Sequence, residues 1–331
     1  MGKTLLIGDI GGTNARFALA DGNTPGFSDL QTLQCADYDS AEGAIKHYLD
    51  SVGATSPDVI CLAAAGPVVG QRVRMTNNHW ILASDELASE FSTNAVRLLN
   101  DFEAIAYGVP LLASRDCSPI GLPDPGPLPD EQYTVAIVGP GTGLGAVGLR
   151  KQDDLLIPVA GEASHGGFAP ETRVQLDVLT ALREQFDRVS TERLVSGSGI
   201  ENIYGALASI HGVKLPRLSA AQIFAAADNS SDSHAVEAVS LFFEILGQFA
   251  GDYALALGAN DGVFIAGGIV IRYPDLLANS RFRSGFESKG RYRTLMERIP
   301  TQLIVHEQPG LLGASYVALE LFRGTEVMPT S

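Results

Sequence analysis

A glycine-rich turn between two apolar runs opens this chain and later returns. Leu5-Leu6-Ile7-Gly8-Asp9-Ile10-Gly11-Gly12-Thr13-Asn14-Ala15-Arg16-Phe17-Ala18-Leu19 reads as strand, turn, strand. Thr134-Val135-Ala136-Ile137-Val138-Gly139-Pro140-Gly141-Thr142-Gly143-Leu144-Gly145-Ala146-Val147-Gly148-Leu149 has the same grammar. Two such hairpins predict two related α/β halves facing a shared cleft. Each turn offers bare backbone N–H groups and a hydroxyl, which suits a phosphate. Asp9 could be a simple turn former. Its place between two strands, just ahead of Gly11-Gly12-Thr13, favours a metal-facing role, because a carboxylate suits a magnesium ion travelling with phosphates. The combination points to a nucleoside triphosphate enzyme.

The remaining bulk properties narrow the class. At 331 residues the chain can build two domains with substantial cores. A net charge of −15 argues against nucleic acid or an anionic membrane as a partner. Cys35, Cys61 and Cys117 stand far apart and form no metal-binding cluster. So sparse a count fits a reducing cytoplasm. The N-terminal apolar run is broken at Gly8-Asp9, too soon for a signal peptide or a membrane span.

Along the chain, residues 57–65 (PDVICLAAA) read as a buried parallel strand, and residues 96–99 as another. The latter stops at Asn100-Asp101, after which residues 102–109 read as helix. Strand, polar pair, helix is the arrangement that places side chains at the carboxyl edge of an open sheet. The Pro/Gly-rich stretch 116–129 is expected to break regular structure and mark a boundary. Residues 172–186 and 235–257 read as helices. Ser198 to Glu201 and Ser219 to Gln222 have the spacing of capping boxes. Gly262 to Ile269 is a strand ending in a third glycine loop, Gly267-Gly268. The sequence 141–146 also matches GxGxxA, but no helix follows it, which argues against a dinucleotide fold.

A second set of residues suits a polyol, because sugar hydroxyls both donate and accept and need carboxylates and amides. These are Asn100-Asp101, the loop Gly161-Glu162-Ala163-Ser164-His165-Gly166-Gly167, Glu192, and Asn77-Asn78-His79 after a possible hairpin. Plainer readings stand beside this one. His165 could be structural, Glu192 a solvated helix-end charge, Asn77 and Asn78 turn residues, and Asp101 a helix cap.

Taken in order, the segments Gly8 to Arg16, Asn100-Asp101-Phe102, Gly139 to Gly145, Gly161-Glu162 with His165, Ser190 to Gly197, Phe264 to Ile269 and Pro309 to Gly313 resemble the bacterial glucokinases. The resemblance runs from residue 3 to about residue 316. It implies an actin-like ATPase fold of two ribonuclease-H-like domains with a ligand cleft between them. The small domain would hold residues 1–111 and 306–331, and the large domain residues 112–305. It further implies a homodimer with ATP:glucose 6-phosphotransferase activity and Mg²⁺. Residue by residue, Gly8, Asp9, Ile10, Gly11, Gly12 and Thr13 would form one phosphate loop, with Asp9 holding Mg²⁺ through water. Gly141, Thr142 and Gly143 would form the other, and Gly267 and Gly268 would lie against the adenosine. Asn77, Asn100, Asp101, Glu162, His165 and Glu192 would hold the sugar, with Asp101 as the base. The segments around Gly66-Pro67 and Asn77-Asn78-His79 match only loosely. A related sugar kinase of the repressor/open-reading-frame/kinase (ROK) family typically carries a cysteine-rich zinc motif, which this chain lacks. A sugar-sensing repressor on the same fold adds an N-terminal DNA-binding module, for which a phosphate loop starting at residue 8 leaves no room.

Overall fold

The computed structural model describes residues 3–75 and 77–327. The chain divides into two compact units: Met1–Ala113 with His306–Ser331, and Ser114–Val305. Among the described residues no helix is long and apolar enough to cross a membrane.

The first unit is built on strands β1 (Leu5–Ile10), β2 (Asn14–Ala20), β3 (Phe27–Gln34) and β4 (Val59–Ala64), helices α1 (Ala41–Val52) and α2 (Ser84–Phe91), a small hairpin β5 (Arg72–Arg74) and β6 (Ile81–Ala83), strand β7 (Ala95–Asn100) and helix α3 (Asp101–Gly108). Its main sheet has the order β3-β2-β1-β4-β7. The first three strands are antiparallel, while β1, β4 and β7 run parallel. Side chains alternate across a strand, so β1 feeds two cores. Leu6 and Ile10 pack with Phe17, Ile45, Tyr48 and Trp80 on one face. Leu5 and Ile7 pack on the other face against Leu311, Ala314 and Ala318 of the C-terminal helix Pro309–Val327. That helix lies close to α3, and a Cβ on Gly313 would collide with the carbonyl of Ala104.

The second unit repeats the plan. Strands β8 (Cys117–Pro119), β9 (Gln132–Pro140), β10 (Leu144–Gln152), β11 (Leu155–Ala160), β12 (Gly262–Ile265) and β13 (Thr301–Ile304) form a sheet of order β11-β10-β9-β12-β13-β8. Its first five positions reproduce the order and strand directions of the first sheet. Helices α4 (Arg173–Arg183), α5 (Gly197–Ile210), α6 (Ala220–Asp228) and α7 (Ser233–Leu257) complete the unit. α7 is apolar nearly all round and runs through the core, as a fully enclosed helix should be. Its one deeply buried acid, Glu244, pairs with Arg281 at 3.0 Å.

The structure departs from the sequence expectations in three local places. Ser198 does not cap a helix. α5 begins two residues earlier, with Ser196 as the cap accepting from the N–H of Gly199 at 3.0 Å, so the helix runs through the glycines at 197 and 199. The segment opening the Pro/Gly-rich stretch is not irregular: Cys117–Pro119 pairs with β13 at the sheet edge, where proline is tolerated. Asn77-Asn78-His79 does not follow a hairpin but lies within the β5–β6 connection. The Ser219 capping box is present as expected.

Candidate active site

In the first unit, the three parallel strands end level with one another. Ile10 pairs with Ala64, and Ala64 with Asn100. The glycine turn after β1 and the Asn100-Asp101 pair after β7 therefore leave the same carboxyl edge, the usual ligand side of such a sheet. Gly8 and Ile10 are buried strand residues: a Cβ on Gly8 would lie 2.8 Å from Leu62, and the Ile10 side chain is in the core. The accessible part of the loop is Gly11 to Thr13, with Gly11 and Gly12 half-buried and Thr13 exposed.

Asn100 is the N-cap of α3. Its Oδ1 accepts from the N–H groups of Phe102 at 2.9 Å and Glu103 at 3.4 Å, and Glu103 returns a bond to the Asn100 N–H. Its Nδ2 donates to the Gly66 carbonyl at 3.1 Å. The cap is Asn100, and Asp101 stands at the first helical position with its Oδ1 also accepting from the Phe102 N–H at 3.0 Å. The Asp101 pKa is pushed up to about 6, first by burial and then by the charge of Asp9, against the pull of the Phe102 N–H. Burial also raises Asp9, while the Arg16 guanidinium, 3.6 Å away, opposes it. The first turn of the C-terminal helix lies alongside, with a Cβ on Gly310 falling 3.9 Å from the Asp9 carboxyl carbon. Two buried carboxylates with raised proton affinity, one acting on the other, are a mark of a functional site.

Among the described residues no group of three or more His, Cys, Asp or Glu side chains could hold a metal. Asp9 nevertheless fits Mg²⁺, which usually takes one or two carboxylates and completes its shell with water and phosphate oxygens.

In the second unit, the turn between β9 and β10 closes with the Gly141 N–H donating to the Gly143 carbonyl at 2.8 Å. The Gly141 carbonyl accepts from Gly197 N–H, at the start of α5, at 2.9 Å. Glu192 reaches the same turn, its Oε2 accepting from the Leu144 N–H at 3.0 Å. A Cβ on Gly143 would sit 2.5 Å from that oxygen, so any larger residue here must push the Glu192 carboxylate aside. Gly267, at φ +106°, backs onto the same region: its Cβ would meet the Pro140 carbonyl at 2.5 Å. The strand that follows Leu144 removes any dinucleotide reading of the GxGxxA match.

The loop holding Glu162 and His165 is stitched to the segment before Glu192. Gly167 bridges Ser190, and the Thr191 N–H donates to the Gly166 carbonyl at 3.1 Å. Arg188 donates to the His165 carbonyl at 2.6 Å. The His165 ring is 3.9 Å from the Glu162 carboxylate, and the two side chains are 55% and 64% exposed. They are therefore accessible groups, not satisfied core residues. Within this unit the fold brings Glu162, His165, Glu192 and the second glycine turn into one neighbourhood. Arg16, Ser196 and Gly197 are contributors that the sequence reading did not single out. Arg16 had a signal: a tight turn at Gly11 to Asn14 puts it directly opposite Asp9.

The Glucokinase family model matches residues 6–321. The glucokinase of Marinobacter nauticus is 41% identical over 312 residues, covering 94% of this chain and 95% of that protein. The glucokinase of Caulobacter vibrioides is 43% identical over 316 residues, covering 94% and 93%. The crystal structure of a glucokinase from an Antarctic psychrotroph superimposes with a TM-score of 0.86 at 34% identity, covering 97% of this chain and 99% of that one. With its paired sheets of one strand order, and with likeness of this extent to proteins of matching length, the chain belongs to the glucokinase family, sugar kinases of the two-domain actin-like ATPase fold.

Proposed function

We propose that this chain transfers the γ-phosphoryl group of ATP to the 6-hydroxyl of glucose, with Asp101 as general base. The observation that carries the assignment is Asp101 itself: it is the first residue beyond a parallel strand, directly follows the capping residue Asn100, and has its pKa pushed up to about 6. Asp101 accepts the hydroxyl proton as the bond from the sugar O6 to phosphorus forms and the bond from phosphorus to ADP breaks. An alcohol is far less acidic than a carboxylic acid, so this proton moves late in the reaction. Phosphoryl transfer needs alignment and charge neutralisation more than covalent help. The free N–H groups of Gly12 and Thr13, with those of the second turn at Thr142 and Gly143 and the Thr142 hydroxyl, would supply it, while Gly141 closes that second turn through its own N–H. Mg²⁺, held at Asp9, supplies neutralisation of phosphate charge when bound. Asn77, Asn100, Glu162, His165 and Glu192 hold sugar hydroxyls, and Gly267-Gly268 faces the adenosine. The homodimer and the cytoplasmic setting belong to the same proposal, as does the absence of nucleic-acid and membrane partners, which the acidic net charge supports.

An ADP-release assay with glucose, mannose, fructose and glucosamine tests the substrate, and Asp101→Ala tests the base. We expect glucose to be turned over fastest and Asp101→Ala to lose nearly all activity while still binding sugar. No turnover of glucose by the wild-type protein, or an Asp101→Ala rate within about tenfold of it, overturns the proposal.

A further inference from the structure

We infer that Asn78 is a positioning residue for the first glycine turn, holding the Gly11–Gly12 peptide so that its N–H faces the phosphates. The inference rests on the proposal that this turn binds a nucleotide. Its starting point is the use of each backbone group in the turn. The Gly11 N–H is consumed by the Asn14 carbonyl at 2.9 Å. The Thr13 carbonyl accepts from the Cys35 N–H at 2.8 Å. The Gly11 carbonyl accepts from Asn78 Nδ2 at 3.0 Å, with the Cys35 thiol 3.7 Å away. The N–H groups of Gly12 and Thr13 have no acceptor among the described residues.

A trans peptide is planar, with its C=O and N–H pointing in opposite directions. Tying down the Gly11 carbonyl therefore aims the Gly12 N–H the other way. This peptide needs such a tie more than most, because it joins two glycines. With no Cβ on either side, rotation of the whole unit meets little steric resistance. A rotated unit would offer a carbonyl oxygen to a phosphate in place of a donor.

Asn78 is itself well anchored. Its Oδ1 accepts from the Trp80 N–H at 2.8 Å, Trp80 is buried, and the indole N–H donates to the Tyr38 carbonyl at 3.1 Å. Neighbouring Asn77 closes over Gly12, where a Cβ would lie 2.7 Å from its own Cβ. The second unit uses a backbone group for the same purpose. There the Gly197 N–H holds the Gly141 carbonyl, which aims the Thr142 N–H away from it.

The test is calorimetric binding of the non-hydrolysable analogue AMPPNP with Mg²⁺, beside separate KM values for ATP and glucose. The variants are Asn78→Ala, Asn78→Asp and Thr13→Ala. Asn78→Asp keeps the acceptor for Trp80 but sets a carboxylate against the Gly11 carbonyl. We expect about tenfold weaker nucleotide binding in Asn78→Ala, a larger loss in Asn78→Asp, and a KM for glucose within about twofold of wild type. If nucleotide affinity stays within about twofold in both Asn78 variants while Thr13→Ala is impaired, the role of Asn78 is wrong and the loop assignment stands. If Thr13→Ala also binds normally, the loop assignment itself fails. Equal losses on nucleotide and glucose would reduce Asn78 to a general structural part and overturn the inference.

Discussion

Asp9 and Arg16 face each other across the first hairpin, Oδ2 to Nη1 at 3.6 Å, and the length of the glycine turn alone sets this pairing. Arg16 opposes the effect of burial on Asp9, and the charge of Asp9 in turn raises Asp101. Asp101 therefore titrates beside a negative charge that the arginine helps Asp9 to keep.

The pH profile follows from that coupling. A base must be ionised, and Asp101 takes up its proton near pH 6. The kcat/KM for glucose is expected to be flat above neutrality and to fall about tenfold per pH unit well below 6. Replacing Arg16 by Met removes the group that favours ionisation, so the first proton binds at higher pH and the falling limb moves upward. A limb that stays in place in Arg16→Met would show that the pair is not what titrates.

Residues of the second unit should separate by substrate. Glu162 and His165 are exposed, and among the described residues no hydrogen bond or ion pair joins their side chains to a glycine turn, so Glu162→Gln and His165→Ala are expected to raise the KM for glucose more than that for ATP. Glu192 also holds the Leu144 N–H beside the second turn. Glu192→Ala is therefore expected to raise both KM values. Initial-rate kinetics with each substrate varied in turn decide the matter. Equal effects of Glu162→Gln on the two substrates would remove it from the sugar.

Asn100 has two separable roles. As the cap of α3 it is worth about 1 kcal/mol, and through Nδ2 it ties the helix start to Gly66. Asn100→Ala should lose that stability and much of the activity. Asn100→Ser keeps a capping oxygen, so chemical denaturation should find it near wild type while its KM for glucose stays raised. Full recovery of KM in the serine variant would confine Asn100 to capping.

Gly267→Ala would place a methyl group 2.5 Å from the Pro140 carbonyl at a φ of +106°. The strained backbone costs about 1–3 kcal/mol, and relief of the clash must shift either Gly267 or the end of β9, which carries the second turn. The expected result is a lower melting temperature with a raised KM for ATP. An unchanged KM for ATP would detach Gly267 from the nucleotide.

Much of this protein is legible in its residues taken in order. The run Leu5 to Leu19 dictates a hairpin, because two apolar runs flank a short glycine-rich turn. Its return at Thr134 to Leu149 signals a repeated half, and the uninterrupted apolar run 59–64 signals a strand covered on both faces. These are local matters of side-chain volume, alternation and backbone freedom. What local chemistry leaves undecided is which polar residue does which task. Asn100 and Asp101 are both good caps, and only the packing of β7 against β4 places Gly66 where its carbonyl takes the Asn100 amide N–H and turns the Asn100 oxygen to the helix start. Glu192 lies 48 positions from Leu144, and no spacing rule predicts that its carboxylate meets that N–H. Burial, which sets the proton affinity of Asp101, is likewise a property of everything packed around it and of no residue alone.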